Sequence, residues 1–281
     1  MSRTIMCSQV TETVERLCLE ANYYLGKEEH KILEKALADE VSPEGRAAIQ
    51  QIIENAAIAE KDQVPICQDT GVSVIFLELG QDVKIEGGFL YDAINAGVAE
   101  GYKKGYLRKS MVYPPVDGKN SGDNTPAIIH TKLVPGDKLK ITVAPKGGGS
   151  ENMSAVGMLT PAAGYEGVKK FVIETVKKAG SNPCPPIIVG VGIGGNFEKV
   201  ALLAKESLLR PAGEPNPDPA IAALEQDFLK AINELGIGPQ GFGGRVTALA
   251  VHIDMFARHI ASFPVAVNIQ CHAARHRSAT L

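Results

Sequence analysis

Five cysteines are spread through the 281 residues, at Cys7, Cys18, Cys67, Cys184 and Cys271. An odd number of widely spaced thiols is a poor disulfide framework. The absence of any CxxC pair excludes a zinc ribbon or a local ferredoxin-type loop. Cys7 and Cys18 lie eleven positions apart, about three helical turns, so they share one helix face and read as core packing. The other three have a common setting. Cys67 sits in VPICQDTG, Cys184 in NPCPP and Cys271 in NIQCHAARHR, each at a junction between a strand and a polar or proline-rich turn. Three thiolates converging from such distant loops would leave one iron of a cubane cluster without a protein ligand. Isolated buried thiols fit the same spacing, and on the residues alone both readings stand.

Other segments carry chemistry of their own. Asp69 and Gln68 follow Cys67 directly, so a metal held there would have a carboxylate and an amide beside it; Asp69 equally suits closing the QDTG turn. GVGIGG at 190–195 has the GxGxxG spacing, yet the chain beyond it enters a proline-rich connector instead of a second strand with a terminal acid. Its glycines then serve a tight turn and close helix packing. KGGGSEN at 146–152 places consecutive glycine amides before a helix, which suits a carboxylate or phosphate, and it lacks the GKS/T ending of a triphosphate loop. His252 alternates with Val251 and Ile253 in a strand and reads as a core histidine. Arg258 and His259 are expected in a helical turn just beyond it, and Arg108 in the lysine-rich stretch KKGYLRKS reads as a solvated charge.

The elements that must position these residues follow from periodicity. Residues 1 to about 60 keep a helical period, with Ser42-Pro43-Glu44 opening a helix. VSVIFLEL reads as a strand, FLYDAINAGVAEGYKK as a helix, and VYPPVDGKNSGDNTP as a loop. AIIHTKL and KLKITVA read as strands joined by the turn VPGD, and GYEGVKKFVIETVKKA as an amphipathic helix. Ile187 to Val191 reads as a buried parallel strand, followed by helices EKVALLAKESLL and LEQDFLKAINELG and the strands TALAVHI and PVAVNIQ. The fold class is mixed α/β, taken as one domain over 1–281 with a helical region at 1–60, and no internal repeat is visible.

Hydrophobic residues make up 44% and charged residues 22%, the balance of an ordinary globular chain. Net charge is -3, from 29 basic and 32 acidic residues, and there is no tryptophan, so nucleic acid is not an expected partner. Apolar stretches are far shorter than a membrane span, and the charged N-terminus lacks the apolar core of a signal peptide. These readings make the protein cytoplasmic.

Together CQDTG, GKNSGDNTP, KGGGSEN, CPPIIVGVGIGGNFEKVALLAKESLLR, GIGPQGFGG and the last cysteine, followed by histidines and arginines, closely resemble the iron–sulfur-dependent class I fumarases. They occur in order from about Pro65 to Arg277. The resemblance implies that Cys67, Cys184 and Cys271 bind a 4Fe-4S cluster. It implies Gln68, Arg108 and Gly149 as substrate contacts and Asp69 and His259 as catalytic residues. The GDNTP loop and KGGGSEN look like the fumarase branch, which hydrates fumarate to L-malate; the L-tartrate dehydratases share the same α-type domain and are the alternative. Single-chain members continue with a second domain where this chain stops at Leu281. A separate β subunit is therefore expected, in an α2β2-type assembly acting on a small dicarboxylate. A non-catalytic zinc or nucleotide-binding module is the remaining reading.

Overall fold

The computed structural model describes residues 3–281. The chain opens with a short strand β1 (Arg3–Met6) and three helices, α1 (Cys7–Tyr23), α2 (Lys27–Asp39) and α3 (Pro43–Asp62). Then come β2 (Val72–Gly80), β3 (Val83–Glu86), α4 (Leu90–Lys104), the two-residue strands β4 (Val112–Tyr113) and β5 (Lys119–Asn120), β6 (Ile128–Val134) and β7 (Leu139–Lys146). A single helical turn, α5 (Gly148–Glu151), leads to β8 (Ala155–Leu159), α6 (Gly164–Ala179) and β9 (Ile187–Gly195). The remainder is α7 (Phe197–Ser207), α8 (Pro219–Asn233), β10 (Ala248–Arg258), β11 (Phe263–Gln270) and β12 (Arg277–Thr280). The mixed α/β class expected from periodicity is the one observed.

Two compact units make up the chain. The first comprises Met1–Leu25, Ala56–Gly148 and Arg275–Leu281; the second comprises Gly26–Asn55 and Gly149–Ala274. Each is built on a four-stranded sheet, in the order β12-β7-β2-β6 in the first and β8-β11-β9-β10 in the second. The two sheets have the same plan. A central strand (β2 or β9) has a parallel neighbour on one side (β6 or β10) and an antiparallel one on the other (β7 or β11), and an antiparallel edge strand (β12 or β8) completes it.

This plan changes two sequence expectations. β6 and β7 are joined by VPGD but do not pair, because β2 lies between them, and the link crosses the end of β2 through bonds such as Gly80 N to Lys138 O at 2.8 Å and Asp82 N to Gly136 O at 2.9 Å. β9 is parallel only to β10, and β11 runs antiparallel beside it. The crossing is close: a Cβ on Gly80 would stand 2.4 Å from Gly136 O, so only glycine fits there. In the second sheet a Cβ on Gly194 would stand 2.0 Å from O of its strand partner Phe256. β10 also runs on through Arg258, so Arg258 ends a strand instead of entering a helical turn.

The central strands are buried at successive positions, so both sheet faces are covered, and their side chains alternate between the two. In the second unit Val189 and Val191 of β9, Val251 and Ile253 of β10, and Val265, Val267 and Ile269 of β11 face a core shared with α6 and α8. The opposite face carries Gly190 and Gly192, against which α7 lies so closely that a Cβ at Gly192 would be 2.2 Å from Val200 O. Gly190 and Gly192 of GVGIGG are thus explained by helix packing, and Gly194 by the close approach of the Phe256 carbonyl. In the first unit Ile75, Leu77, Ile141 and Val143 pack with α1 and α4, and Cys7 and Cys18 belong to that core at 6% and 0% exposure.

Candidate functional site

In each unit the chemically suggestive segments gather at the same end of the sheet. CQDTG precedes β2 as NPCPP precedes β9, and the glycine run follows β7 as Cys271 follows β11. Antiparallel pairing brings the end of one strand beside the start of the other: Val72 faces Lys146, and Gln270 faces Ile188.

In the first unit, the Cys67–Gly71 turn is held by side chains from three other segments and by one of its own. Tyr102 of α4, fully buried, donates to Thr70 O at 2.8 Å and Gly71 O at 3.1 Å. Burial pushes its phenol up, so it stays a neutral donor. Asn124 Nδ2 also donates to Gly71 O, at 3.2 Å, and Thr70 Oγ1 donates to Arg108 O at 2.9 Å. From the C-terminal segment, Arg275 donates through Nη2 to Asp69 O at 2.9 Å and through Nη1 to Asn22 Oδ1 at 3.3 Å. The Asp69 carboxylate accepts from Gly71 N at 3.0 Å and Gly148 N at 2.8 Å, so it closes its own turn and ties it to the glycine run. The Cys67 thiol donates to Gln68 Oε1 at 3.2 Å. Cys67, Gln68, Asp69 and Arg108 therefore share one neighbourhood, with the Gln68 and Arg108 side chains exposed.

The glycine run is a smaller anion site than its sequence suggests. The helix it opens is a single turn, and the Gly148 amide is already taken by Asp69. Gly149 lies in the second unit, where a Cβ would be 3.5 Å from Asn182 O. It therefore borders the turn that carries Cys184.

Cys184 is exposed and takes the left-handed conformation, φ 55°, between the buried Pro183 and Pro185. That conformation costs an L-residue roughly 1–2 kcal/mol, and such strain is characteristic of residues held for function. Neighbours hold it: Cys184 N donates to Ser181 O at 3.0 Å, and both Gln240 N and Gln240 Nε2 donate to Pro185 O at 2.7 Å. His272, next to Cys271, brings Nδ1 to 3.0 Å from Cys184 O and 3.3 Å from Gln240 Nε2. Cys184 and Cys271 are thereby linked within the second unit. A cavity of about 490 Å³ opens beside His272 and Gln240, walled by Gln51 and Asn55 of α3 and by Phe242.

His259 is elsewhere. It lies in the link after β10, and Arg258 pairs with Gly195 at the far end of β9 from Cys184, about 25 Å away along the strand. Its Nδ1 accepts from Ala261 N at 3.1 Å. The structure does not bring His259 to the cysteine end of its sheet. His252 is buried with Nδ1 3.1 Å from Ser207 O, as a core histidine should be.

The thiols divide by accessibility. Cys184 is exposed and Cys67 and Cys271 are half-buried, whereas Cys7 and Cys18 are buried, and burial pushes the Cys18 thiol up to about 12. Only the first three can readily present thiolates to a ligand. Among the described residues no group of three or more His, Cys, Asp or Glu side chains stands ready to hold a lone metal ion.

A family profile described as Fumarate hydratase (Fumerase) matches residues 11–280. The chain belongs to that family. Membership makes it a hydro-lyase, and the relatives agree with that class. A Methanocaldococcus jannaschii protein, provisionally named L(+)-tartrate dehydratase subunit alpha, is 43% identical over 272 residues, 95% of each chain. The L(+)-tartrate dehydratase subunits alpha of Escherichia coli and Shigella sonnei are each 37% identical over 251 residues, 88% of this chain and 82% of theirs. Among the described residues no helix is long and apolar enough to cross a membrane.

The sequence reading gave no role to Asn22, Tyr102, Asn124, Gln240, His272 or Arg275. Asn124, Gln240, His272 and Arg275 lie inside the segments GKNSGDNTP, GIGPQGFGG and CHAARHR that carried the family resemblance. Asn22 and Tyr102 had no local signal, because each sits in a helix whose period only announced a buried face.

Proposed function

We propose that the chain is the α-type subunit of an iron–sulfur hydro-lyase that removes water from L-tartrate to give oxaloacetate, completed by a separate β-type subunit. The names of the relatives support the substrate and the subunit role. The observation that carries the chemistry is the division of the thiols, with three accessible at loop junctions and two sealed in a core. The three accessible thiols fit the donor set of a cluster with one iron left open. Bound by Cys67, Cys184 and Cys271, a 4Fe-4S cluster would supply a Lewis-acidic iron, which makes hydroxide a feasible leaving group.

The chain's own residues do the rest. The strained, proline-flanked backbone of Cys184 fixes its thiol. Gln68 and Arg108 offer an exposed amide and an exposed guanidinium to a substrate carboxylate, and Gly149 is the third proposed substrate contact. Asp69, fixed by two amide donors, holds or moves a proton at its carboxylate oxygens. For His259 no role is proposed at the cysteine end of the second unit's sheet, because it follows β10 at the opposite end from Cys184 and Cys271.

Hydration of fumarate to L-malate is the second reading, supported by the family description and by the GDNTP and KGGGSEN segments. Both are tested by anaerobic co-expression with the β-type subunit and assay on L-tartrate, the other tartrates, fumarate and malate. Turnover preferring L-tartrate supports the first reading and preference for fumarate or malate the second; no turnover on any of them would defeat both.

A further inference from the structure

We propose that Arg275 is a positioning residue for the Cys67–Gly71 turn: its guanidinium fixes the Asp69 carbonyl against Asn22 of α1 and so sets where Cys67 and the Asp69 carboxylate point. Arg275 is 3% exposed, and a buried charge is costly unless well paired. A buried arginine kept for stability would face a carboxylate, which its fork matches. This one donates to two neutral oxygens, and its Nε–H faces no acceptor.

What those two oxygens belong to explains the arrangement. Asn22 is itself fixed, because its Nδ2 donates to Cys18 O at 2.9 Å, and its main-chain oxygen accepts from Ile66 N at 2.9 Å, the residue before Cys67. Asn22 thus holds the entry to the turn while Arg275 holds its middle, and the rigid fork sets the distance between the two. The carboxylate is placed by the same device. A Cβ on Gly147 would lie 3.1 Å from Asp69 Oδ2 and 4.0 Å from Arg275 Nη2, so carboxylate and guanidinium both border the space that a side chain there would fill. A lysine keeps the charge but cannot span two acceptors at fixed spacing.

The inference rests on reading Cys67 and Asp69 as site residues, and its test needs neither cluster nor substrate. In the full chain without cluster, Arg275→Lys is compared with the parent by amide hydrogen exchange and by the rate of iodoacetamide alkylation of each cysteine. The expected result is exchange of the Gly71 and Gly148 amides and alkylation of Cys67 all about tenfold faster, as for a locally opened turn, with Cys18 still protected. Unchanged Gly71, Gly148 and Cys67 would overturn the inference. So would an equal rise at Cys18, which would show general loosening in place of positioning. If the lysine variant does not accumulate as folded protein, Arg275→Met, of similar length and without charge, is read by the same criteria. Failure here leaves the proposed reaction standing, and failure of the substrate assays leaves this result standing.

Discussion

Replacing Asp69 with asparagine separates its two duties, because the structure allows the cost of one to be worked out. The carboxylate accepts from Gly71 N and Gly148 N through different oxygens. Asparagine keeps a single acceptor, so one of those N–H groups must face an NH2. Gly71 is buried and Gly148 exposed, so the amide oxygen stays with Gly71 and water reaches Gly148. The net loss is then that of one exposed hydrogen bond to a charged group, about 1 kcal/mol. Loss of a proton-transferring group costs far more, about 10²–10⁴ in turnover, or roughly 3–5 kcal/mol of barrier. Urea unfolding of the full chain reads the first quantity, and kcat of the complex with the β-type subunit reads the second. The expected outcome for Asp69→Asn is a small shift in urea midpoint, unchanged iron and sulfide content, and kcat lower by at least about 100-fold. Turnover within about twofold of the parent would leave Asp69 as a turn residue only and refute its catalytic role.

Replacing Cys67, Cys184 or Cys271 with Ser is expected to abolish the visible iron–sulfur absorbance, while Cys7→Ala and Cys18→Ala keep it; absorbance surviving Cys184→Ser sinks the ligand assignment. Glu40, 1% exposed, tests pH dependence. Burial would raise its pKa, but backbone N–H groups of Ser42, Val246, Arg245 and Val41 outweigh that and hold the carboxyl below its ordinary 4.5. Its contribution is therefore present in full above pH 4.5 and lost as the pH falls through the lower folded-state value. Glu40→Gln should flatten that acid limb and lower stability at neutral pH by about 2 kcal/mol, read by urea titrations at several pH values. Gly192→Ala should leave little soluble protein, since its Cβ would collide with the backbone of α7. A nicotinamide or adenine dinucleotide should not bind, and a measurable shift in thermal melting with one would reopen the GxGxxG reading.

Local sequence carried much of the architecture and part of the site. The 3.6-residue period placed α1, α3, α4, α6, α7 and α8, each of which buries one face, and the β-branched runs placed β2, β9 and β11, which are buried along most of their length. Pairing was not legible. VPGD has the composition of a hairpin turn, and nothing in it tells that β2, which ends far back at Gly80, separates the strands it joins. The shared plan of the two sheets is likewise carried by backbone direction, with no repeated sequence to announce it. At the site, cysteines and glycines stood out because few residue types do their chemistry. Asn22, Tyr102 and Arg275 did not, since their roles depend on hydrogen bonds to a turn distant in sequence. Arg258 and His259 were misplaced for a related reason: the end of β10, Met255–Arg258, is exposed, so no pattern of burial marks it as strand.

The most direct test is metal and sulfide analysis of the chain after co-expression with the β-type subunit and strictly anaerobic purification, beside the Cys184→Ser variant. The predicted result is a brown complex with about four irons and four sulfides per chain, both lost in the variant. A colourless, active complex with zinc or no metal, or iron and sulfide that persist without Cys184, would contradict the iron–sulfur hydro-lyase account.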